Sequence, residues 1–134
     1  MLIVQPREVS FGSVVWSDVA SVAIERKAGR SFLEFGDEGS HVVLADAPEQ
    51  RVEVTVVQEL LEDDMDAPSP GESGVLTFET ALNSSTAGRK QVTLTGVVMN
   101  VKYTVSRKAG SVRTVDLVAV SSDGVVDPVL VVSV

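Results

Sequence analysis

"KQVTLTGVVMNVKYTVSRKAGSVRTVDLVAV", Lys90 to Val120, decides the fold class. It is two long apolar and β-branched runs either side of Arg107–Gly110. In the first run Val92 and Leu94 share one alternation phase. Val97, Met99, Val101, Tyr103 and Val105 share the other. The phase changes near Gly96, which predicts a β-bulge or sharp bend there. Gly110 supplies a residue that tolerates positive φ, as a hairpin turn demands. The reading is two long strands, antiparallel, joined by a tight turn.

Further strand signals lie on both sides. Val52, Val54 and Val56 alternate with Glu53 and Thr55, the pattern of a half-buried strand. Gly74–Leu82 puts Leu76, Phe78, Thr80 and Leu82 on one face. "EVSFGSVVW" and "VASVAIE" read as two strands meeting near Ser17-Asp18. "SFLEF" and "HVVLA" read as two shorter ones parted by "GDEGS", and "PVLVVSV" closes the sequence. Loops are predicted at Ala67–Gly74, Asn83–Lys90 and the Ser121–Gly124 turn. Arg-Lys-Ala-Gly occurs twice, at 26–29 and 107–110, and both copies read as hairpin turns with an Arg-Lys pair at an exposed tip. The one candidate helix is Gln58–Met65, which lacks a clean apolar stripe. Regularly spaced strands with Gly-rich turns predict a mainly β, single-domain barrel or sandwich of antiparallel strands over 1–134, with at most one short helix.

Composition agrees with that class. Valine accounts for 28 of 134 residues, which suits a pleated sheet, and aromatics for only 4%, so the core must be aliphatic. With no cysteine there is no disulfide framework and no thiolate metal site. No run of about 18 apolar residues is present to form a membrane-spanning helix. The start, "MLIVQPREVSF", lacks the basic residues and apolar length of a secretory signal. Charge is segregated. Residues 34–79 carry thirteen acidic groups against one arginine, residues 1–33 are net +1, and residues 80–134 net +3. The acidic middle opposes nucleic-acid binding, where phosphates must be met by Lys and Arg. It serves solubility, and it also lets one copy attract a different face of the next.

Candidate chemistry is sparse. His41 is the single histidine, with no second His or Cys to complete a metal site. No serine stands in a G-x-S-x-G context, so a nucleophile for an esterase-like reaction cannot be located. Glu59, Glu62, Asp63, Asp64 and Asp66 crowd into eight residues. Calcium takes roughly six to eight oxygens, but the spacing here is not that of an EF-hand loop. "GESG" lacks the ending of a phosphate loop. No catalytic, cofactor or metal site is expected.

The order of pieces resembles a known family. An alternating strand and acidic loop are followed by "PGESGVLTF", the long "RKQVTLTGVVMNVKYTV", a turn, "VRTVDLVAVSSDG" and a closing "DPV". Over roughly residues 50–130 this is similar to bacteriophage tail tube proteins of contractile and long-tailed phages, and to the tubes of type VI secretion and related injection machines. The resemblance implies a structural virion protein, made in the host cytoplasm, with no catalysis. Its copies form rings, usually hexameric, stacked head to tail into a hollow tail tube through which DNA passes during ejection. The partner is then the chain itself, with tail sheath, tape measure, baseplate and terminator proteins as further candidates, DNA only as cargo, and no membrane. The family has a long loop between early strands that touches the next ring, for which Leu33–Gln50 is the candidate here. It also has a flanking helix, for which only Gln58–Met65 offers itself. A terminator, a baseplate adaptor or a gene-transfer-agent tube has the same pattern.

Charge segregation suggests how copies meet. Arg26, Lys27, Arg107 and Lys108 are the candidate donors, and Glu59, Glu62, Asp63, Asp64 and Asp66 the candidate acceptors, between subunits or at the lumen. Each exposed pair is worth about 0–1 kcal/mol, so only many repeated copies matter. The alternative from the residues alone is a monomeric β-sandwich binding module, calcium-assisted through the 59–66 carboxylates.

Overall fold

A computed structural model describes residues 2–3, 6–60, 68–81, 89–107 and 110–133, with side chains from residue 6 onward except at 81. Among the described residues nine strands make one antiparallel sheet: β1 (Leu2–Ile3), β2 (Arg7–Phe11), β3 (Val14–Val15), β4 (Val19–Phe35), β5 (Val42–Leu60), β6 (Ser73–Ala81), β7 (Arg89–Ser106), β8 (Gly110–Ala119) and β9 (Leu130–Ser133). Their order across the sheet is β1-β4-β5-β8-β7-β6-β2-β3, with β9 also on β7. The mainly β class expected from the sequence is the one observed, as a sheet that curls without closing into a barrel. No helix occurs among the described residues. Gln58–Leu60, the start of the candidate helix, continue β5, because Gln58 keeps the inward phase of Val52, Val54 and Val56. The remainder of that candidate lies outside the described residues.

Alternation builds the core. Val54 and Val56 of β5, Leu76 and Phe78 of β6, Val92, Leu94 and Val98 of β7, and Val115 and Leu117 of β8 point to one side. Val9 and Phe11 of β2 and Val22 of β4 complete it from the two ends of the sheet, so the sheet must wrap around these side chains. Phe11 stacks on Trp16 at 5.2 Å between ring centroids. The linker Trp16–Asp18 crosses between the ends. Trp16 N donates to Val9 O (2.8 Å), Glu59 N to Asp18 O (3.0 Å) and Gln58 Nε2 to Ser17 O (2.6 Å). Arg113 reaches in from β8, with its guanidinium carbon 5.2 Å from the Trp16 ring centroid and Nη2 donating to Gln58 Oε1.

The bend in β7 is not at Gly96. The inward phase runs unbroken through Val92, Leu94, Gly96 and Val98, and the register against β8 slips between Val98 and Asn100. Gly96 is a core position with little room: a Cβ there would lie 3.2 Å from Leu117 Cδ2 and 3.3 Å from Leu94 Cδ1. The missing side chain, and not a phase change, explains this glycine. Pro70 and Gly71 (φ +96°) form a type II turn just before β6, closed by Glu72 N to Ser69 O at 3.1 Å. "EVSFGSVVW" is itself a small hairpin, β2–β3, turning at Gly12 (φ +63°) and Ser13.

The two Arg-Lys-Ala-Gly stretches differ. Arg107–Gly110 joins β7 to β8, with Ser106 opposite Gly110 at φ +75°, as a hairpin turn requires. Arg26–Gly29 is no turn. It lies inside β4, with Arg26 opposite Val52, Lys27 opposite Arg51 and Ala28 opposite Gln50. Gly29 marks a register shift between Ala28 and Arg30 and not a reversal. The reversal comes at residues 36–41, after Phe35. "VASVAIE" and "SFLEF" are therefore one strand of 17 residues, and "HVVLA" and "VEVTVV" one of 19.

Candidate functional site

Beyond Arg26 and Arg51 the paired strands β4 and β5 leave the sheet as a two-stranded arm. Every described residue of 27–35 and 37–51 is exposed. Among the described residues, no strand pairs with the second edge of β5 before Glu53, where β8 begins. The candidate loop Leu33–Gln50 is thus the outer half of a β-ribbon. Pro48 falls at a register shift between Arg30 and Phe32, where it interrupts no ladder bond.

Beside the polar turn at residues 36–41, one face of the arm is apolar where solvent should favour polar groups. Leu33 pairs with Ala45 and Phe35 with Val42, so one face of the ribbon is wholly apolar at its end. Phe35 is 58% exposed and Val43, in the bulge beside it, 69%. The opposite face is mixed: Phe32 under the Arg30 guanidinium (4.8 Å), Glu34, Leu44 and Asp46. A patch of this kind on an unpaired ribbon is the composition of an interface.

At the arm's base is a cleft of about 550 Å³. Pro48, Gln50 and Val52 of β5 and Arg26 of β4 form one wall, and the loop from β8 to β9 forms the other. This loop is an excursion. Gly96 and Val97 of β7 pair with β6 on one edge and β8 on the other, and β9 rejoins that second edge at Lys90–Thr93. Two aspartates fix it. Asp123 Oδ1 accepts from Val125 N and Val126 N, both 2.9 Å, and Asp127 Oδ1 from Val129 N at 3.0 Å. The backbone N–H groups of Val126 and Val125 hold the Asp123 carboxyl below its usual range, and that of Val129, then Arg26, does the same for Asp127. The loop presents Val125 (88% exposed) and Val126 (61%) on this rigid frame.

The charges picked out from the sequence are distributed differently from their expected role. Arg26 and Lys27 stand on a strand, not at a tip, and both find carboxylates in their own chain. Arg26 binds Asp127, and Lys27 binds Glu53 at 2.9 Å and Glu25 at 3.7 Å. The bond to Glu53, then the charge of Glu25, raises the Lys27 pKa, and the same bond lowers that of Glu53. Arg107 is exposed in the β7–β8 turn. Glu59 is exposed near the end of β5, opposite Val112, so it belongs to the same end of the sheet as Arg107. The arm tip is at the other end of β5. Glu62, Asp63, Asp64, Asp66 and Lys108 lie outside the described residues. His41 is exposed at the arm's turn, where its carbonyl accepts from Gly36 N at 3.4 Å. Among the described residues no group of three acidic, His or Cys side chains is gathered as a metal site.

Sequence reasoning placed Asp123 in the Ser121–Gly124 turn, where its carboxylate does cap the backbone, but it missed the tie of Asp127 to Arg26 and missed the cleft. Its only available signal was "SSDGVVDP", in which two turn-forming aspartates flank two valines. No protein-family model matches the chain, and no curated protein matches it.

Proposed function

We propose that the chain is a structural subunit that assembles with copies of itself, forming stacked rings in the manner of a phage tail tube. The observation that carries this is the arm: a β-ribbon projecting beyond the core with Leu33, Phe35, Val42 and Val43 exposed at its end. A solitary subunit leaves that surface in water, and self-association covers it. In this reading the protein has no catalytic role, and DNA is cargo in the tube and not a ligand.

Negative-stain electron microscopy beside light scattering tests it. Rings or hollow tubes of uniform width are the expected result. A monomer at every concentration, with the arm intact, would overturn the reading.

A further inference from the structure

The arm is not one uniform ladder. Ala28 faces Gln50 and Phe32 faces Asp46, but between these pairs Arg30 faces Glu49. Gly29 is therefore an extra residue on β4, and just beyond it Ala47 and Pro48 of β5 stand against Ser31 alone. The two irregularities cancel, because residues 29–31 and 47–49 are equal in number. The outer ladder thus resumes in the register the base would have kept. We infer that this seam is a hinge: the outer ribbon, from Phe32 to Asp46, swings on it as one body, and the Pro48 wall of the cleft at the arm's base moves with it. The hinge belongs to the single chain and needs no second copy.

Both strands are weakened at the same level. A bulge leaves its extra residue outside the ladder, so cross-strand bonding is interrupted on β4 and again on β5. Pro48 has no N–H to give. Gly29 has no side chain to restrict it, and neither crowding nor backbone geometry requires a glycine there. Its φ is not left-handed, and an added Cβ would meet Glu49 no closer than 3.6 Å. Gly96 differs, since packing against Leu117 and Leu94 explains it. The seam is exposed on both faces, so no core packing stiffens it. The Arg30 guanidinium over the Phe32 ring spans the β5 bulge on one face, and an exposed contact of that kind is a weak brace.

Below the seam the ribbon is clamped. The ladder from Ser21 to Ala28 against Val57 to Gln50 is regular, and β8 takes the second edge of β5 from Glu53 onward. Adjacent residues of a strand point to opposite faces, and here both faces are tied. Arg26 binds Asp127 of the β8–β9 loop, and Lys27 binds Glu53, which also takes Arg51. Each tie is exposed and weak alone, but it acts on a segment already paired. The base therefore stays with the sheet and the loop. Pro48 is on the seam and also in the cleft wall, so arm angle and cleft width change together. Hinges of this kind are a few residues that absorb the change in φ and ψ between two stiffer bodies.

Distances between nitroxide labels test this in a chain that has no cysteine of its own. One label goes on the arm tip and one on the far wall of the cleft, F35C with V126C. The reference pair is T104C, toward the other end of β7, with V126C. All of these sites are exposed. Labelled chains are diluted in unlabelled protein so that distances within one chain are read, and the frozen sample records every arm position whatever its timescale. The F35C–V126C distribution is expected to be about twofold wider than the reference, or more. Gly29→Val with Pro48→Thr, which restores the missing N–H and favours a strand, should narrow it to the reference width with unchanged circular dichroism. Gly29→Ala alone adds one Cβ where there is room, and should narrow it part of the way, so the test stands even if the double variant does not fold. A wild-type distribution as narrow as the reference overturns the hinge. So does a width that stays the same in the variants that fold. Neither result bears on self-assembly, which scattering from the wild-type protein decides.

Discussion

Arg26 on β4 and Asp127 in the β8–β9 loop, 101 positions apart, meet in a two-pronged ion pair: Nη1 to Oδ1 at 3.2 Å and Nη2 to Oδ2 at 3.0 Å. The pair ties the loop to the arm where the arm leaves the sheet. It thereby sets the mouth of the cleft. Both side chains are about half exposed, so its worth is geometric more than energetic.

Acid should loosen this tie. The Val129 N–H and then Arg26 hold the Asp127 pKa below its ordinary value. The folded pKa is thus below the unfolded one. The stabilisation is complete above the unfolded value, near ~3.9, and disappears as pH falls through the lower folded value. Asp123 and Glu53 are shifted in the same direction and add to the same trend. Urea midpoints are expected to fall as pH drops below about 4, and to fall less in Asp127→Asn. At pH 7 that variant should lose no more than about 1 kcal/mol. An unchanged pH dependence in Asp127→Asn would mean that the pair is not maintained in solution.

Gln58 should matter more than its polarity suggests. It is buried, accepts from Arg113 and donates to Ser17 O, and so fastens the linker between the two ends of the sheet. Gln58→Ala strands the Ser17 carbonyl and one Arg113 N–H together, for an expected loss of about 1–3 kcal/mol. The single tryptophan, Trp16, lies against Arg113, so its emission follows the transition directly. A red shift of native-state emission is expected as the linker loosens. Wild-type stability with unshifted emission would show that the latch is dispensable.

Gly96→Ala distinguishes the packing explanation of this glycine from the bend first expected there. The added Cβ lies 3.2 and 3.3 Å from the tips of Leu117 and Leu94, both buried and closely packed. Overpacking of this kind costs about 1–3 kcal/mol. The compensating truncation Leu117→Val should recover part of it by withdrawing the obstructing methyl group, measured as a double-mutant cycle in urea. Strict additivity would place the strain elsewhere.

Much of this fold could be read before it was seen, and the failures have physical causes. Val52–Val54–Val56 and Leu76–Phe78–Thr80 were legible because one face is buried and the other wet, which imposes a two-residue period. Arg26–Gly29 misled because Arg-Lys-Ala-Gly spells a turn only if the chain reverses, and Gly29 instead sits extended against Glu49, 3.6 Å from its virtual Cβ. The arm was not legible because both of its faces are exposed, so no alternation marks it as one element with the core strands. The cleft depends on Asp127 finding a partner 101 residues away, which no local pattern encodes.

The arm can be removed at a defined point. Lys27 and Arg51 face each other across β4 and β5, so an Asn-Gly turn replacing residues 28–50 should close the hairpin with the favoured two-residue geometry. Every buried residue of the core cluster lies outside the deleted stretch. The shortened chain is therefore expected to keep its circular dichroism and cooperative unfolding. It loses Arg26's neighbours Pro48 and Gln50 and with them one wall of the cleft. On the self-assembly proposal, light scattering should then report monomers at concentrations where the full chain is expected to associate. Assembly that survives the deletion would assign the contact to the sheet edges, at β1, β3 or β9, and not to the arm. A chain that no longer folds would show that the ribbon stabilises the core it projects from; Phe35→Asp, which removes no buried group, would then carry the test, with weaker association as the expected result.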